Sequence, residues 1–355
     1  MLEDEVRALG FKATPEQGGI SFQGPEGSLR RANLWLRTAN RVLLRLGVFP
    51  ASDDQAFLKG VRAIPFARYL NLNSGLDLDV HIHRSALKSG KVTALTRMAL
   101  KAPPKGQGTP VPLQVRVVDD LCTVSVDTSG ELLYRRGYRQ EVSHAPMRET
   151  LAAGILRLAG YRGEGPLWDP MCGSGTLPIE ASWMSCRRAP GLNRTFAFEQ
   201  WPNFDPALWA AERQAAKAGE ASFASASDSP ISGSDINGGA LGTARRNARR
   251  AHLTAEIEWQ RQGIATVKPN PGLLPGLLIT NPPYGIRVGE KAELQTLYQQ
   301  LGNTLATSFR GWRAAVLVAD PALESYLRLN IETAFPVENG GISCRLLVGR
   351  SAISR

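Results

Sequence analysis

Stretches typical of β-strands alternate with helical stretches through residues 141–355, and this alternation restricts the fold more than any other feature. Strands are predicted at 166–169, 231–235, 257–260, 276–280, 314–319 and 344–349, with helices between them. Such alternation indicates an α/β fold whose parallel sheet is covered by helices on both faces. Ligands bind such sheets beyond the carboxyl ends of the strands, so functional residues are expected directly after them.

Two smaller α/β regions are predicted before this one, which gives domains at 1–57, 58–134 and 135–355. In the first region the pattern predicts a helix ending at Gly10, a strand at 19–24 and an amphipathic helix at 29–46 with a basic face. In the second it predicts a strand at 78–83, a helix at 86–100, and strands at 113–118 and 121–127. The basic, aromatic connector 134–139 is either a nucleic-acid contact or a plain linker.

The charge of the chain favours a polyanionic partner without requiring one. The 355 residues carry a net charge of +10, and residues 1–140 hold 20 basic and 13 acidic side chains. Arginine outnumbers lysine, which suits phosphate recognition, although a GC-rich genome gives the same bias. The hydrophobic fraction of 43% excludes a wholly disordered chain.

Neither a metal site nor a membrane anchor is predicted. The four cysteines are scattered without a CxxC pair, which fits a reducing, cytoplasmic environment. His81 and His83 lie two residues apart without a third candidate ligand nearby. No apolar run reaches the roughly 18 residues of a membrane span, and the acidic N-terminus is not a secretory signal.

A glycine-containing loop, 169–176 (DPMCGSGT), follows the first predicted strand of the third region. Its glycines allow a close approach of the backbone to a ligand, and the helix that follows offers free N–H groups. No Gly-Lys-Ser/Thr follows, so the loop is not a P-loop, and Pro178 occupies the third glycine position of a dinucleotide fingerprint. A purely structural turn is the alternative interpretation.

Asp235 directly follows the next strand, where a carboxylate can accept hydrogen bonds from ribose hydroxyls. It lies 62 residues after Gly173, far beyond the spacing of a dinucleotide fold, and an insertion at about 186–230 would explain the distance. Within it, the Ser/Ala-rich stretch 222–230 is predicted to be a mobile loop. Alone, Asp235 is also a candidate N-cap for a helix at 240–250.

The sequence Asn281-Pro282-Pro283-Tyr284 follows the strand at 276–280 and decides the interpretation. Each proline holds the preceding residue extended and lacks an N–H, so the turn presents acceptors without matching donors. The Asn281 oxygen and a backbone carbonyl can accept the two N–H groups of an exocyclic amine, which turns its lone pair toward an electrophile. Tyr284 can stack on the base.

These motifs, in this order, resemble those of amino-methyltransferases that use S-adenosylmethionine. With 145–153, 179–181, 188–191, 233–235 and Arg287, the chain resembles the THUMP-containing RNA guanine-N2-methyltransferases, and within them the guanine-N2 half of the bacterial 23S rRNA methyltransferase L enzymes. The resemblance implies a Rossmann-like class I methyltransferase domain preceded by ferredoxin-like and THUMP α/β domains. The implied cofactor is S-adenosylmethionine and the implied partner is RNA, rRNA before tRNA, without metal or membrane.

The resemblance also implies the site residues. It assigns the target base to Asn281, Pro282, Pro283 and Tyr284, and the cofactor to Arg148, Thr150, Asp169, Cys172, Gly173, Gly175, Thr176, Glu180, Asp235 and Gln262. Gln262 stands in for an adenine-contacting acid that many relatives carry near this position. Cys172 is also interpreted as a packing residue, Glu180 as an interface residue, and Arg287 as either a phosphate contact or a surface residue. A second methyltransferase domain, fused in some relatives, is expected to be missing.

The implied reaction is in-line methyl transfer to N2 of a guanosine that is unpaired or flipped out of its helix. Three alternatives stay open: a tRNA guanine-N2 methyltransferase, an adenine-N6 DNA methyltransferase, and a non-catalytic RNA-binding factor. The second is disfavoured because no DNA-reading element is recognisable in the first two regions. The third is disfavoured by the intact tetrapeptide and glycine loop.

Overall fold

The computed structural model describes residues 1–71, 75–101, 110–140, 147–220, 230–253, 256–284 and 291–351. The chain forms two compact units, and each contains segments that are separate in sequence. The first unit comprises 1–5, 134–193 and 215–355; the second comprises 6–133 and 194–214. Helix α1 (Leu2–Ala8) begins in the first unit and ends in the second.

The second unit is built around a four-stranded sheet. A separate hairpin precedes it, and helices α2, α3 and α4 connect its parts. The elements are β1 (Lys12–Glu16), β2 (Gly19–Gln23), α2 (Ser28–Trp35), β3 (Leu43–Pro50), α3 (Asp54–Ala63), β4 (Leu76–His83), α4 (Ser89–Leu100), β5 (Val111–Val118) and β6 (Leu121–Asp127). The sheet order is β3-β6-β5-β4, with β4 and β5 parallel and the other pairs antiparallel. Strands and helices bury one apolar core that includes Phe57, Val92 and Val115.

The predicted amphipathic helix at 29–46 is wrong. Helix α2 ends at Trp35, and residues 43–50 form β3, which pairs with β6. The apolar residues of this stretch match the helical period over a short distance, but they also alternate from Leu43 onward, with Leu44 and Leu46 packed against the core of the sheet. Pairing across the sheet therefore overrides the local pattern, and the basic helical face does not exist.

A segment from the middle of the chain, 194–214, belongs to the second unit. Its aromatic side chains pack on one another, with Trp209 edge-on to Phe196 and Phe198, and Trp201 edge-on to Tyr69. An ion pair between Arg30 and Glu212 joins the segment to α2. Burial of these rings explains why this insertion has a fixed structure within the unit.

The first unit contains a seven-stranded sheet in the order β9-β8-β7-β10-β11-β13-β12. Strands β9 to β11 run parallel, and β13 is antiparallel to both its neighbours. Its elements are α5 (Glu149–Leu158), β7 (Leu167–Asp169), α6 (Thr176–Ser185), α7 (Pro206–Ala218, which continues from the second unit), β8 (Ile231–Asp235), α8 (Gly238–Arg250), β9 (Ile257–Arg261), β10 (Leu277–Thr280), α9 (Lys291–Thr307), β11 (Arg313–Val318), β12 (Leu329–Asn339) and β13 (Ile342–Ser351).

Successive residues of the central strands enter two different cores. Leu277 and Ile279 join the cluster on one face with residues of α5 and α6, whereas Leu278 joins the cluster on the other face with residues of α9. Both faces are therefore covered, as the apolar strands predict. The predicted α/β fold is confirmed. Strand β12 was not predicted, and the division at residues 57 and 134 and the THUMP domain stay predictions.

Candidate active site

The three predicted motifs meet at one edge of the seven-stranded sheet. Strand β7 pairs in parallel with β8 on one side and with β10 on the other. The glycine loop follows β7, Asp235 ends β8, and Asn281 follows β10. From β7 the strands β8 and β9 follow on one side, whereas β10 and β11 lie on the other side. The carboxyl ends of β7 and β10 therefore lie where the strand order reverses, and ligands bind such sheets at this switch point.

The two glycines of the loop have different functions. Gly173 has a φ of +53°, and a Cβ there would meet nothing within 4 Å among the described residues. Gly175, at φ +84°, precedes α6, and a Cβ there would lie 2.7 Å from the ring of Trp259 and 3.0 Å from Ala244. Gly173 therefore leaves room for a ligand, whereas Gly175 allows close packing against neighbouring elements. Thr176 is buried at the start of α6.

The carboxylate of Asp235 is held by two backbone N–H groups. Oδ2 accepts from Gly173 at 2.9 Å and Oδ1 accepts from Asn237 at 2.8 Å. A carboxylate offers about four lone-pair sites, so acceptors remain for ligand hydroxyls. The alternative that Asp235 caps the next helix is wrong, because Asn237 is the N-cap of α8 and accepts from Gly239 and Ala240.

Asp169 is an almost fully buried carboxyl group at the end of β7, 2% exposed. Burial raises its pKa to about 7; the N–H of Met171, 3.2 Å from Oδ1, opposes the rise, and the nearby Asp235 carboxylate adds to it. Burial also raises the pKa of the neighbouring Cys172 thiol well above its usual range. Cys172 is therefore an unreactive, neutral thiol, as a packing residue would be.

Gln262 lies just beyond β9 with an unused acceptor. Its Nε2 donates to Gln260 Oε1 at 2.8 Å, while its own Oε1 is buried without a hydrogen-bond partner in the described ranges. Ile236 is 73% exposed, and its Cδ1 lies 3.6 Å from a Cβ built on Gly263. An apolar surface beside an amide acceptor suits a flat ring with an amino group. Ile236 was not predicted, although its position directly after Asp235 was a signal.

The tetrapeptide forms a connected polar group. The hydroxyl of Tyr284 donates to Asn281 Oδ1 at 2.5 Å and accepts from Asn339 Nδ2 at 2.8 Å. Pro282 is buried, Pro283 is exposed, and the Tyr284 ring packs partly against the core. The sequence analysis missed Asn339, because it lies 55 residues beyond Tyr284 and has no motif around it. Arg287 and residues 222–229 lie outside the described residues.

Arg148 and Thr150 lie at the start of α5, which packs against α6, and Glu180 lies in α6, the helix after the glycine loop. The guanidinium of Arg148, at the N-terminus of α5, lies 5.1 Å from the centre of the Tyr134 ring. Thr150 is buried in α5. Glu180 is fully buried; its Oε1 accepts from Tyr138 at 3.3 Å and lies 3.6 Å from Arg136 Nε.

The connector 134–139 is largely an internal part of the first unit. Arg136 and Tyr138 are buried against Glu180, and Arg139 pairs with buried Glu149 at 2.5 Å. Burial raises the pKa of Glu149 to about 7, although the charge of Arg139 opposes the rise. Arg136 and Tyr138 are therefore excluded as nucleic-acid contacts, because their side chains are committed to this buried network.

The residues of this site fit an adenine nucleoside. Among the described residues, none lies within 4 Å of a Cβ built on Gly173, and Gln262 Oε1 has no hydrogen-bond partner, so it can accept from an amino group. Asp235 retains acceptor capacity for hydroxyls. In the part of the chain that the structure describes, no group of three or more His, Cys, Asp or Glu is suited to a metal ion. Within the same ranges, no helix combines the length and apolar character needed to cross a membrane.

Comparisons with known proteins agree with this geometry. The chain is 35% identical to slr0064 of Synechocystis, provisionally named an RNA methyltransferase, over 97% of this chain and 91% of that protein. It is 36% identical to the ribosomal RNA large subunit methyltransferase K/L of Syntrophotalea carbinolica and 34% identical to that of Psychromonas ingrahamii, over 98% of this chain in both cases. It spans only 51% and 48% of those two proteins.

Two solved structures share the whole architecture. SMU.472, provisionally named a methyltransferase and crystallised with S-adenosylhomocysteine, matches with a TM-score of 0.85 and 30% identity, over 99% of this chain and 95% of that one. A Listeria monocytogenes protein, assigned by prediction as an N6-adenine-specific DNA methylase, matches with a TM-score of 0.88 and 29% identity, over 99% and 92%.

Models of two protein families also match. The UPF0020 family, described as the RMKL-like methyltransferase domain, matches residues 136–347, and the RlmL ferredoxin-like domain matches residues 1–43. The resemblance to the large-subunit rRNA methyltransferase L family is thus confirmed from both ends of the chain. This chain is therefore a member of the RMKL-like methyltransferase family and begins with an RlmL-type ferredoxin-like domain.

Proposed function

We propose that this protein is an S-adenosylmethionine-dependent RNA methyltransferase that modifies the exocyclic N2 of a guanosine, in 23S rRNA. The observation that carries the proposal is the meeting of the Asn281 motif with Gly173 and Asp235 at the carboxyl ends of adjacent parallel strands. A nucleoside cofactor and a nucleobase amine would thus be bound side by side. The names of the relatives, which refer to RNA and to large-subunit rRNA, support the substrate class.

The cofactor would be held mainly by three of the predicted residues. Asp235 would accept hydrogen bonds from the ribose, Gln262 would accept one from the adenine amino group, and Gly173 would let the backbone approach closely. When bound, S-adenosylmethionine supplies an electrophilic methyl group on a positively charged sulfur. Asp169, which is buried and ionises near neutral pH, would stabilise positive charge on the ligand. Arg148, Thr150, Cys172, Gly175, Thr176 and Glu180 complete the proposed binding region.

The chain's own contribution to the reaction is to orient the amine. The Asn281 oxygen and the Pro282 carbonyl would each accept one N–H, so that the nitrogen lone pair points away from the protein acceptors. The same acceptors stabilise the positive charge that develops on the nitrogen during methylation. Pro282 and Pro283 keep the turn stiff, and the free part of the Tyr284 ring would contact the base. No covalent enzyme intermediate is needed.

The RNA-binding role falls to the first 140 residues, where most of the excess positive charge lies. We propose a THUMP domain within 58–134, after a ferredoxin-like region at 1–57 and before the catalytic domain at 135–355. Phosphate and shape contacts there would hold a structured RNA, while the target base is flipped into the catalytic site. The choice of rRNA rests on relatives of which this chain spans about half, so the substrate is itself part of the proposal.

An adenine-N6 DNA methyltransferase is the second candidate. The description of the Listeria monocytogenes structure favours it, and the same tetrapeptide chemistry serves an adenine amine. The sequence of the first 140 residues has no recognisable DNA-reading motif, which favours RNA instead.

To test this, the purified protein and labelled S-adenosylmethionine are incubated separately with unmodified 23S rRNA, with tRNA and with adenine-unmethylated DNA. The products are analysed by nucleoside mass spectrometry. We expect N2-methylguanosine in 23S rRNA alone. N2-methylguanosine in tRNA alone would change the substrate, and N6-methyladenine in DNA would overturn the proposal. The Asn281→Ala variant is the control: cofactor and RNA affinities should stay within about twofold while transfer is lost, since its acceptor acts on the reacting amine.

A further inference from the structure

We propose that Asn339 is a positioning residue of the methyl-transfer site, acting on Asn281 through the hydroxyl of Tyr284. The inference rests on the proposed function and concerns a residue outside every motif. Asn339 Nδ2 lies 2.8 Å from the Tyr284 oxygen, and that hydroxyl lies 2.5 Å from Asn281 Oδ1. Asn339 is only 6% exposed, so its side chain has little access to solvent as an alternative partner.

The direction of these hydrogen bonds follows from their chemistry. An amide nitrogen can only donate, so the Tyr284 oxygen accepts from Asn339. A phenol has one proton, and with its oxygen engaged by Asn339 that proton is directed to Asn281 Oδ1. Hydrogen bonds in such a chain polarise one another, which favours this single arrangement over its reverse.

The consequence for Asn281 is a fixed amide plane. Its oxygen has two lone pairs near the plane of the group, and Tyr284 occupies one of them. The remaining lone pair is then held in one direction, toward which an incoming amine N–H must point. Without Asn339 the phenol could rotate its proton away, and the Asn281 side chain would lose its orientation before the substrate arrives.

The structural setting explains why Asn339 reaches this position. It is the last residue of β12 and pairs with Ile342 of β13 across a tight turn that contains Gly340 and Gly341, both at positive φ. A hairpin end by itself needs only a residue compatible with the turn. The hydrogen bond of the Asn339 side chain to Tyr284 is separate from the role of the residue in the hairpin, so the two roles can be distinguished by experiment.

The phenol keeps its proton under assay conditions. Burial raises the pKa of Tyr284 above its usual value; the hydrogen bond from Asn339 opposes the rise, and the Cys344 thiol and the Tyr298 phenol add to it. Burial raises the pKa of both of these neighbours too, so neither titrates near neutral pH. Any pH dependence introduced at position 339 can therefore be assigned to the new group.

The decisive variant is Asn339→Asp, which has the same shape but, when ionised, can only accept. The Tyr284 hydroxyl would then donate its proton to the carboxylate at position 339, and its hydrogen bond to Asn281 would be lost. With a 23S rRNA transcript and labelled S-adenosylmethionine, we expect kcat to fall about tenfold, the size of one lost hydrogen bond, with little change in KM. The ratio to wild type should recover as pH falls, because a protonated carboxyl group donates again. Asn330→Asp, exposed on the same strand, is the control and should keep full activity.

A double-mutant cycle separates positioning from packing. Tyr284→Phe removes the hydroxyl group that links Asn339 to Asn281, here called the relay. Adding Asn339→Asp to this variant should therefore cause no further loss of kcat. Additive losses, a pH-independent defect, or an Asn339→Asp variant within about twofold of wild type would each overturn the inference.

A measurement without RNA distinguishes this inference from the proposed function. If wild type methylates no transcript, the proposed function fails, but the relay can still be tested with protein labelled at the tyrosine ζ carbons. The Tyr284 resonance, identified by its loss in Tyr284→Phe, should shift in both Asn339→Asp and Asn281→Ala and stay unchanged in Asn330→Asp. An unshifted resonance in the first two variants would refute the relay.

Discussion

The carboxylate of Asp235 accepts a hydrogen bond of 2.9 Å from the backbone N–H of Gly173, 62 residues earlier in the chain. One contact therefore joins the ends of β7 and β8 and fixes the glycine loop relative to the proposed ribose acceptor. The aspartate thus holds the loop, and its remaining lone pairs are the proposed acceptors for the ligand.

Replacing Asp235 by alanine should therefore weaken cofactor binding by a factor of about 10 to 100, since hydrogen bonds to charged groups contribute about 1.5–3 kcal/mol each. Isothermal titration with S-adenosylmethionine measures the change. The matched control is Asn237→Ala, which removes the N-cap of α8. It should lower the free energy of unfolding by about 1 kcal/mol and leave the affinity nearly unchanged. Equal affinity losses in both variants would contradict a direct contact by Asp235.

The two glycines of the loop should respond differently to alanine. Gly173→Ala places a methyl group where no described residue lies within 4 Å, so the fold should lose only about 1 kcal/mol of stability from the strained backbone while cofactor affinity falls. Gly175→Ala drives a methyl group against the ring of the half-buried Trp259 and should cost about 2 kcal/mol or more. Urea unfolding and titration on the same samples separate the effects. A Gly173→Ala variant with unchanged affinity would remove this glycine from the site.

Asp169 should make the stability of the protein depend on pH. Its pKa rises from 3.8 to about 7 on folding, so the folded state binds the proton more tightly than the unfolded state. Its contribution to stability is complete below pH 3.8 and is lost as the pH rises toward about 7. Asp169→Asn should remove this part of the slope in urea unfolding between those pH values. A slope identical to wild type would show that the carboxyl group titrates normally.

The same group should make cofactor affinity depend on pH. A positively charged ligand favours the ionised carboxylate, so the affinity for S-adenosylmethionine should rise as the pH passes through about 7. Methylthioadenosine lacks the sulfonium, ammonium and carboxylate charges of the cofactor, so it is the matched control and should bind with a flatter profile. In Asp169→Asn the two ligands should become alike in their pH dependence. Parallel profiles for both ligands in wild type would exclude Asp169 as the cause.

Gln262 can be tested through its acceptor oxygen, which has no hydrogen-bond partner within the described ranges. Gln262→Met keeps the length of the side chain but removes the acceptor, and should weaken S-adenosylmethionine binding about three- to tenfold. Gln262→Glu retains an acceptor and should bind within about threefold of wild type. The adenine amino group is the proposed partner of this oxygen, so a cofactor analogue with inosine in place of adenosine should not distinguish Gln262→Met from wild type. If it does, Gln262 acts through packing.

The parallel sheet and the convergence of the three motifs at its carboxyl end were predictable, because buried parallel strands are apolar runs that end in loops at one side of the sheet. The strands before Asp169, Asp235 and Asn281 were predicted to within about two residues, which is the usual uncertainty of element ends. Since parallel strands align their carboxyl ends, three motifs far apart in sequence were expected to meet. The sequence alone predicts contacts between these distant motifs only because parallel strands align their carboxyl ends.

What escaped prediction depends on pairing and packing over long distances. The stretch that forms β3 matches a helical period and becomes a strand only because β6 lies beside it. Arg136 and Tyr138 belong to a stretch that the sequence predicted as a basic and aromatic connector. In the structure both side chains are buried and contact the buried carboxylate of Glu180. Asn339 carries no local signal, because its importance lies in the hydroxyl group that it reaches and not in its neighbours along the chain.

The assignment of residues 194–214 to the second unit has a practical consequence. The polypeptide passes between the two units more than once, so no single cut yields either of them intact. A fragment ending near residue 133 would leave the rings of Phe196, Phe198 and Trp209 behind, and a fragment starting there would carry them without their native surroundings. Separate expression of the second unit would therefore require joining residues 194–214 to it through a designed linker.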